Sequence, residues 1–271
     1  MSRQRAAKFF VPLIVVASST GFAQGADNLF SEDFEQHAAN AVPGAPWKEE
    51  TYKSGAIVQV DSEHAFSGTQ SLHIFTPHGA QYRRGYVAIH LHSPLPAAMS
   101  GMYGRAMMWL DAAPVALPGA PPVHWTLLQG EGRSADDTYN SIYRLGVELR
   151  GGTQLMANFE TTPPVTTDCK QQSKLTLPVK RWACVEWHME VAPNELEFWL
   201  DGRKVTRVQG RARAAGACRG NDLAGEWRAP PKFDSLYLGL ERYADSVNDQ
   251  NLWWDDVVLS KGRVGCPVPP R

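Results

Sequence analysis

The sequence predicts an all-β protein, a single-domain β-sandwich of the jelly-roll type. Three observations lead to this prediction. Runs with strand-like alternation recur along the chain, helical patterns hardly appear, and Gly, Pro, Asn and Asp separate the runs. About a dozen short strands without a dividing linker suit one large β domain.

The strands are expected where apolar or β-branched residues alternate with polar ones. The predicted runs are 56–60, 71–75, 86–92, 103–110, 124–129, 143–150, 154–160, 184–191, 195–202, 235–243 and 252–259. Within LDGRKV, the Asp201-Gly202 dipeptide predicts a tight hairpin. Three long loops, 112–122, 161–172 and 208–231, lie between runs, and long loops are typically functional or pinned by a cross-link.

The first 23 residues have the order of a secretory signal peptide. A positive start, MSRQRAAK, precedes an apolar run, FFVPLIVVA, and a small-residue end, STGFA. Neither this run nor any later stretch is long enough to span a bilayer. We therefore expect cleavage after Ala23, a single domain over 24–271 and secretion to the periplasm or the extracellular medium.

The charge of the mature chain argues against two classes of partner. Residues 1–23 hold three of the 27 basic residues and none of the 28 acidic ones, so the mature chain has a net charge of −4. A chain with this balance has no general attraction for nucleic acid or for anionic membranes.

All four cysteines lie in the mature chain, at positions 169, 184, 218 and 266. An even number in an exported protein predicts two disulfides, with three pairings possible. A metal site is the weaker interpretation, because no CxxC pair is present.

Two adjacent aspartates interrupt the last predicted strand, NLWWDDVVL. Strict alternation places Asp255 on the side of Trp253 and Val257, and Asp256 on the side of Trp254. A buried carboxylate requires a partner, and a structural Ca²⁺ would supply one through oxygen ligands. The alternative is that both aspartates are solvated at a strand end.

Three segments carry a resemblance to a known family. SEDFE (31–35), AFSGTQS (65–71) and WWDDVVLSKGRVGC (253–266) resemble the family motifs DDFE, AHSG-x-x-S and W-F-D-D followed by TRVGC. The chain is thereby similar to the fungal cellulose-induced secreted proteins, jelly rolls related in fold to glucuronan and alginate lyases. The segments occur in the same order and at comparable spacing.

The resemblance implies a calcium site and a disulfide pattern. The implied calcium ligands are Glu35, Ser67, Gln70 and Asp255, where position 70 is Asn in the family. The implied bridges are Cys184–Cys266 and, for the remaining two cysteines, Cys169–Cys218.

The run YRLGVELR contains the first candidates for chemistry. Alternation places Arg144, Gly146 and Glu148 on the outer face of a sheet and directs the intervening residues to the core. Gly146 would leave room for a chain lying across this face. His124 in the preceding run and Asn158 in the following run extend the face, which suits a polar chain of sugars.

Cleavage of a uronate polymer by β-elimination needs three groups. A cation or amide neutralises the carboxylate, a base removes the C5 proton, and an acid protonates the departing O4. Arg144 is the predicted carboxylate clamp, His124 the base, and Tyr237 or Tyr243 the acid. Trp199 and the two tyrosines are also predicted to contact the sugar rings, together with Asn158.

The resemblance supports this region, with one departure. HWTL is similar to the family's H-V-T-F at His124, and YRLGVE is similar to its L-R-I-G-G-Q at Arg144. Glu148 stands where the family has Gln. A carboxylate there repels an anionic substrate unless it is protonated or paired with Arg144. The alternative is an Arg144–Glu148 ion pair on a solvated strand.

Two functions follow from these patterns. The first is a secreted, monomeric protein that cleaves glucuronate-containing polysaccharide. The second is a non-catalytic carbohydrate-binding protein of the same fold. A retaining glycoside hydrolase is less favoured, because the E-x-D-x-x-E strand motif of jelly-roll glucanases is missing. His90 and His92 alternate on one face without a third metal ligand.

Overall fold

A computed structural model describes residues 28–52, 55–79, 83–90, 99–119, 124–149, 153–164, 167–192, 195–209, 218–220, 229–243 and 245–267. The predicted signal peptide lies outside them. Over these ranges the chain forms sixteen strands: β1 (Asn28–Glu32), β2 (Trp47–Tyr52), β3 (Ile57–Asp61), β4 (Ser71–Thr76), β5 (Arg83–His90), β6 (Gly101–Leu110), β7 (His124–Arg133), β8 (Asn140–Leu149), β9 (Thr153–Thr161), β10 (Thr167–Thr176), β11 (Trp182–Glu190), β12 (Glu195–Leu200), β13 (Arg203–Gln209), β14 (Cys218–Gly220), β15 (Ser235–Arg242) and β16 (Gln250–Ser260).

The strands form two antiparallel sheets that pack as a jelly-roll sandwich. The first sheet has the order β13-β12-β11-β6-β16-β4-β3, with β1 also paired to β16. The second has the order β14-β10-β9-β8-β7-β15-β5-β2. One hydrophobic core lies between the sheets, and Trp125, Trp187 and Trp254 are among its largest side chains. Among the described residues no helix has the length and apolar content needed to cross a bilayer.

The predicted hairpin at LDGRKV is confirmed. Asp201 and Gly202 connect β12 to β13 with φ values of 50° and 75°. Positive φ at both central residues is the geometry of a type I′ turn, which explains why the sequence has Asp-Gly there.

The last strand, β16, contains a β-bulge at the two aspartates. The register with β6 shifts between Asp255 and Val258, and Asp256 has a φ of 48°. Trp254 and Val257 therefore both face the core, three residues apart. The predicted sharing of one side by Asp255 and Val257 is wrong, because the bulge inserts a residue and reverses the alternation.

The disulfide Cys184–Cys266 is confirmed, and it joins β11 to the segment that follows β16. Cys169 and Cys218 are directly opposed in the antiparallel pair β10–β14. Opposed positions of such a pair lie about 4.5–5.5 Å apart at Cα, a span that a disulfide can bridge. The second bridge stays a prediction.

Candidate functional site

The candidate site is the outer face of the second sheet. As predicted, Tyr143, Leu145 and Val147 of β8 belong to the core, and Arg144 and Glu148 lie on the opposite face. Both charged residues are nevertheless buried, with 5% and 3% of their surface exposed. A buried charge must be compensated, so the contacts of this face determine what it can do.

Strand register brings four of the predicted residues together. His124 at the start of β7 is directly opposite Glu148 on β8, and Arg144 is opposite Asn158 on β9. Directly opposed residues of an antiparallel pair place their side chains on the same face. The sequence-predicted base, clamp and binding residues therefore share one surface.

Tyr243, which follows β15, completes this group. Its ring centroid is 4.5 Å from that of His124, and the Arg144 guanidinium lies 5.4 Å from the centre of the tyrosine ring. Its hydroxyl donates a hydrogen bond to the carboxylate of Glu241 on β15. A histidine, a phenol and a guanidinium thus lie next to one another.

The partners of Arg144 differ from the predicted alternative. Its guanidinium forms an ion pair with Glu160, and its Nη2 lies 3.9 Å from Glu241 Oε2. Its Nε donates a 3.2 Å hydrogen bond to Gln129 Oε1. The carboxylate partners of Arg144 are therefore Glu160 and Glu241 rather than Glu148.

Glu241 is a site residue that the sequence analysis missed. It is 3% exposed, and burial raises its pKa from 4.5 to about 7. Its Oε2 also accepts a 3.4 Å hydrogen bond from the Tyr86 hydroxyl. Burial is the main cause that raises the pKa of Tyr243, and the charge of Glu241 also raises it, whereas Arg144 lowers it. The net effect is a raised pKa, so this phenol holds its proton at neutral pH.

Tyr237 lies at one end of this face. Its hydroxyl donates a 2.6 Å hydrogen bond to Glu131, and its ring contacts the ring of Tyr86 at 5.8 Å. Trp199 is on β12 of the first sheet, so the structure does not bring it to the face of His124. Its ring instead contacts the side chain of Arg263 at 4.5 Å.

Gly146 has a different role from the predicted one. A Cβ at this position would lie 2.0 Å from the backbone oxygen of Trp125 on β7. The glycine is required because the β7 backbone approaches closely beside the register shift between Thr126 and Leu128. The prediction that Gly146 makes room for a ligand is therefore wrong.

The family comparison agrees with the fold and the predicted resemblance. The model of the polysaccharide-lyase-like family, described as the Cip1-like core domain, matches residues 33–262. This chain belongs to that family. No curated protein sequence matches it.

Solved structures similar to this Cip1-like chain share its fold. The cellulose-induced protein Cip1 superposes with a TM-score of 0.59 at 19% identity, over 88% of this chain and 100% of that chain. An endo-β-1,4-glucuronan lyase from the fungus Trichoderma reesei has a TM-score of 0.57 at 13% identity, over 87% and 96%. An endo-1,3-β-glucanase from Streptomyces sioyaensis has a TM-score of 0.50 at 13% identity, over 87% and 96%.

The four predicted calcium ligands of this Cip1-like chain lie at one turn, residues 64–71. Ser67 and Gln70 belong to the turn, and Glu35 and Asp255 contact it. The Glu35 carboxylate accepts hydrogen bonds from the backbone N–H groups of Thr69 and Gln70, both at 2.8 Å. Asp255 Oδ2 accepts hydrogen bonds from the N–H groups of Phe66 at 2.8 Å and Ser67 at 3.2 Å. The first segment and the last strand thus hold the same turn.

The donor set at this junction fits a hard cation. Asp255 is fully buried, and burial together with the neighbouring Asp256 raises its pKa to about 7. Asp256 Oδ2 is buried without a hydrogen-bond partner among the described residues. Gln70 Nε2 donates to the carbonyls of Phe34 and His37. Its Oε1 is the atom that a cation would use.

Proposed function

We propose that this chain is a secreted polysaccharide lyase that cleaves glucuronate-containing polymers by β-elimination. The observation that carries the proposal is the group formed by His124, Tyr243, Arg144 and Glu241. It supplies a base, an acid and a cation on one sheet face. The glucuronan lyase that shares the fold gives the substrate class a precedent.

The proposed reaction begins at C5 of a uronate residue. Arg144 neutralises the substrate carboxylate, which makes the C5 proton more acidic. His124 accepts that proton, the electron pair of the C5–H bond forms the C4=C5 double bond, and the C4–O4 bond breaks. Tyr243 donates its proton to the departing O4, and its raised pKa means that the phenol still holds this proton at neutral pH. Protonated Glu241, whose pKa is about 7, returns a proton to the Tyr243 phenolate. Solvent then takes the C5 proton from His124 and reprotonates Glu241, which restores both groups.

The test follows ultraviolet absorbance from the new 4,5-unsaturated uronate end. The panel comprises glucuronan, alginate, rhamnosyl-glucuronate gums and cellulose, each with calcium present. We expect absorbance to grow on a uronate polymer and to fall at least 100-fold in His124→Ala and in Tyr243→Phe. His78→Ala is the matched control, because His78 is exposed and its carboxylate partner is Asp249, which is not one of the four residues of the group.

A non-catalytic carbohydrate-binding protein is the second candidate. The observation that favours it is that Arg84 and Arg144 on this face are both paired with carboxylates. Arg84 pairs with Glu50 at 3.3 Å, and Arg144 pairs with Glu160 and Glu241. A flat absorbance trace on every polymer, together with retardation on a polysaccharide affinity gel, would support binding without cleavage and reject the lyase.

We propose further that Glu35, Ser67, Gln70 and Asp255 hold a structural Ca²⁺. Support comes from the buried Asp255 carboxylate and from the oxygen donors around the turn. A ligand at 100 times its Kd stabilises the folded state by about 2.7 kcal/mol. We therefore expect Ca²⁺ to raise the Tm of the chelated protein, and Asp255→Asn to abolish the rise. Asp249→Asn is the control, and a Tm that is insensitive to Ca²⁺ and to chelator rejects the site.

A further inference from the structure

A second group of chemically competent side chains lies on the other sheet. His188 and Glu190 of β11 face Glu197 and Glu195 of β12, residue opposite residue, and we call these four residues the His188 cluster. Alternate positions of a strand share a face, so the antiparallel register directs all four side chains to one side of the hairpin. This sheet does not contain His124, Arg144 or Tyr243.

The two ring nitrogens of His188 face different carboxylates. Nδ1 is buried, has no hydrogen-bond partner within the described part of the chain, and lies 3.8 Å from Glu197 Oε2. Nε2 lies 3.9 Å from Glu190 Oε2. Both separations are too long for a hydrogen bond. Two ligands of one tetrahedral metal ion are about 3.4 Å apart when each metal–ligand bond is near 2.1 Å.

Three candidate ligand atoms, one imidazole nitrogen and two carboxylate oxygens, lie close to one another. One ring nitrogen of His188 and one carboxylate oxygen each of Glu195 and Glu197 lie within 4.8 Å of one another. Glu195 is 7% exposed, and the side chain of His188 is 13% exposed. A contraction of about 1 Å would bring the three atoms onto one ion, a movement within the reach of side-chain rotation.

Two neighbouring side chains contact the cluster. Lys204 pairs with Glu197 Oε1, and Glu197 Oε2 lies 3.8 Å from His188 Nδ1. Tyr103 on β6 stacks on His188 with ring centroids 4.0 Å apart and an interplanar angle of 7°.

We propose that the His188 cluster binds a divalent transition-metal ion, with Zn²⁺ as the defining probe. His188 Nδ1, Glu197 Oε2 and a Glu195 oxygen are the protein ligands. When the ion is bound, Glu190 closes the 3.9 Å separation from Nε2 and accepts its N–H hydrogen bond, which fixes the tautomer that presents Nδ1 to the metal. Imidazole and carboxylates are the ligands that zinc takes in sites that keep one open position. The site is separate from the calcium junction, whose ligands are oxygen atoms only.

The experiment uses untagged mature protein that has been treated with chelator and dialysed. Zn²⁺ binding is measured by titration calorimetry and by elemental analysis after gel filtration. We expect one Zn²⁺ per chain, with at least tenfold weaker binding in His188→Gln and in Glu197→Gln. His78→Gln is the matched control, because it removes an exposed histidine–aspartate pair and should leave binding unchanged.

Each further outcome decides the proposal. X-ray absorption of the wild-type zinc complex should show one imidazole and oxygen ligands, a readout that needs no variant to fold. Retention of Zn²⁺ in Asp255→Asn and in excess Ca²⁺ would separate the site from the calcium junction. Absence of bound Zn²⁺, or undiminished binding in His188→Gln, would overturn the proposal.

Discussion

Replacing Glu241 by Gln should make the stability of the protein less dependent on pH. The pKa of the Glu241 carboxyl is about 7 in the folded protein and near 4.5 in the unfolded chain. Between these values the unfolded chain has lost the proton while the folded protein still holds it, so unfolding releases a proton and rising pH favours unfolding. The folded state thus loses stability between pH 4.5 and 7.

The size of this effect follows from the shift of the Glu241 pKa. One pKa unit corresponds to about 1.4 kcal/mol, so the shift costs the wild-type protein about 3 kcal/mol above pH 7. The Gln variant carries no charge and keeps an oxygen that accepts the hydrogen bond of the Tyr243 hydroxyl. Its free energy of unfolding should equal that of the wild type near pH 4 and exceed it by about 3 kcal/mol at pH 8. This difference corresponds to a Tm higher by about 6–12 °C.

The assay is urea unfolding followed by tryptophan fluorescence at pH 4, 5, 6, 7 and 8. Glu49→Gln is the matched control, because it removes the same charge from an exposed position on β2. The reasoning is refuted if the curves of free energy against pH for wild type and Glu241→Gln run parallel from pH 4 to pH 8. A control that flattens the curve equally would attribute the effect to net charge instead.

Three further predictions concern stability. Arg144→Met leaves Glu160 and Glu241 without their cation and should lower the free energy of unfolding, measured in urea, by about 3 kcal/mol at pH 8. The loss should be smaller at pH 5, because Glu241 is protonated there. Equal losses at the two pH values would contradict the assignment. Gly146→Ala places a methyl group against the Trp125 carbonyl and should cost about 3 kcal/mol, whereas unchanged stability would show that β7 can move. Replacing both Cys184 and Cys266 by Ala removes a cross-link that spans 82 residues and should cost about 4 kcal/mol, measured as a lower Tm by calorimetry; an unchanged Tm would indicate a denatured state that is already compact.

Strand alternation was sufficient to predict most of the fold. Each run that the sequence analysis assigned to a strand lies in or overlaps a strand of the two sheets. The strands β2 and β10, WKEETY and TDCKQQSKLT, were missed because they are largely polar and their stability comes from pairing with neighbours. The bulge in β16 was missed for a related reason. The alternation of apolar and polar residues contains no signal for an inserted residue. In addition, the residue with positive φ is Asp256 rather than a glycine, so the sequence does not mark the bulge.

The candidate site was predicted in part. Alternation identified Arg144 and Glu148, and the pairing of β7 with β8 then placed His124 beside them. The same alternation applied to SLYLGLERY puts Glu241 on the face of Tyr237, so the signal for Glu241 was present in the sequence. Its raised pKa depends on burial by the whole fold, which no local pattern contains. The ion pair of Arg144 with Glu160 likewise depends on the pairing of β8 with β9.

The position of β16 in the first sheet has a consequence for the order in which the protein forms. This strand is the last one in the sequence, yet it lies between β6 and β4 and also pairs with β1. A nascent chain that ends before residue 250 contains β3–β4 and β6 with its neighbours as two pieces with open edges. The pairing of β1 with β16 joins Asn28 to Ser260, a separation of 232 residues (260 − 28), and contacts so far apart in sequence form slowly. Without residues 250–260 both pieces therefore keep an unpaired strand edge, which makes an incomplete chain prone to aggregation.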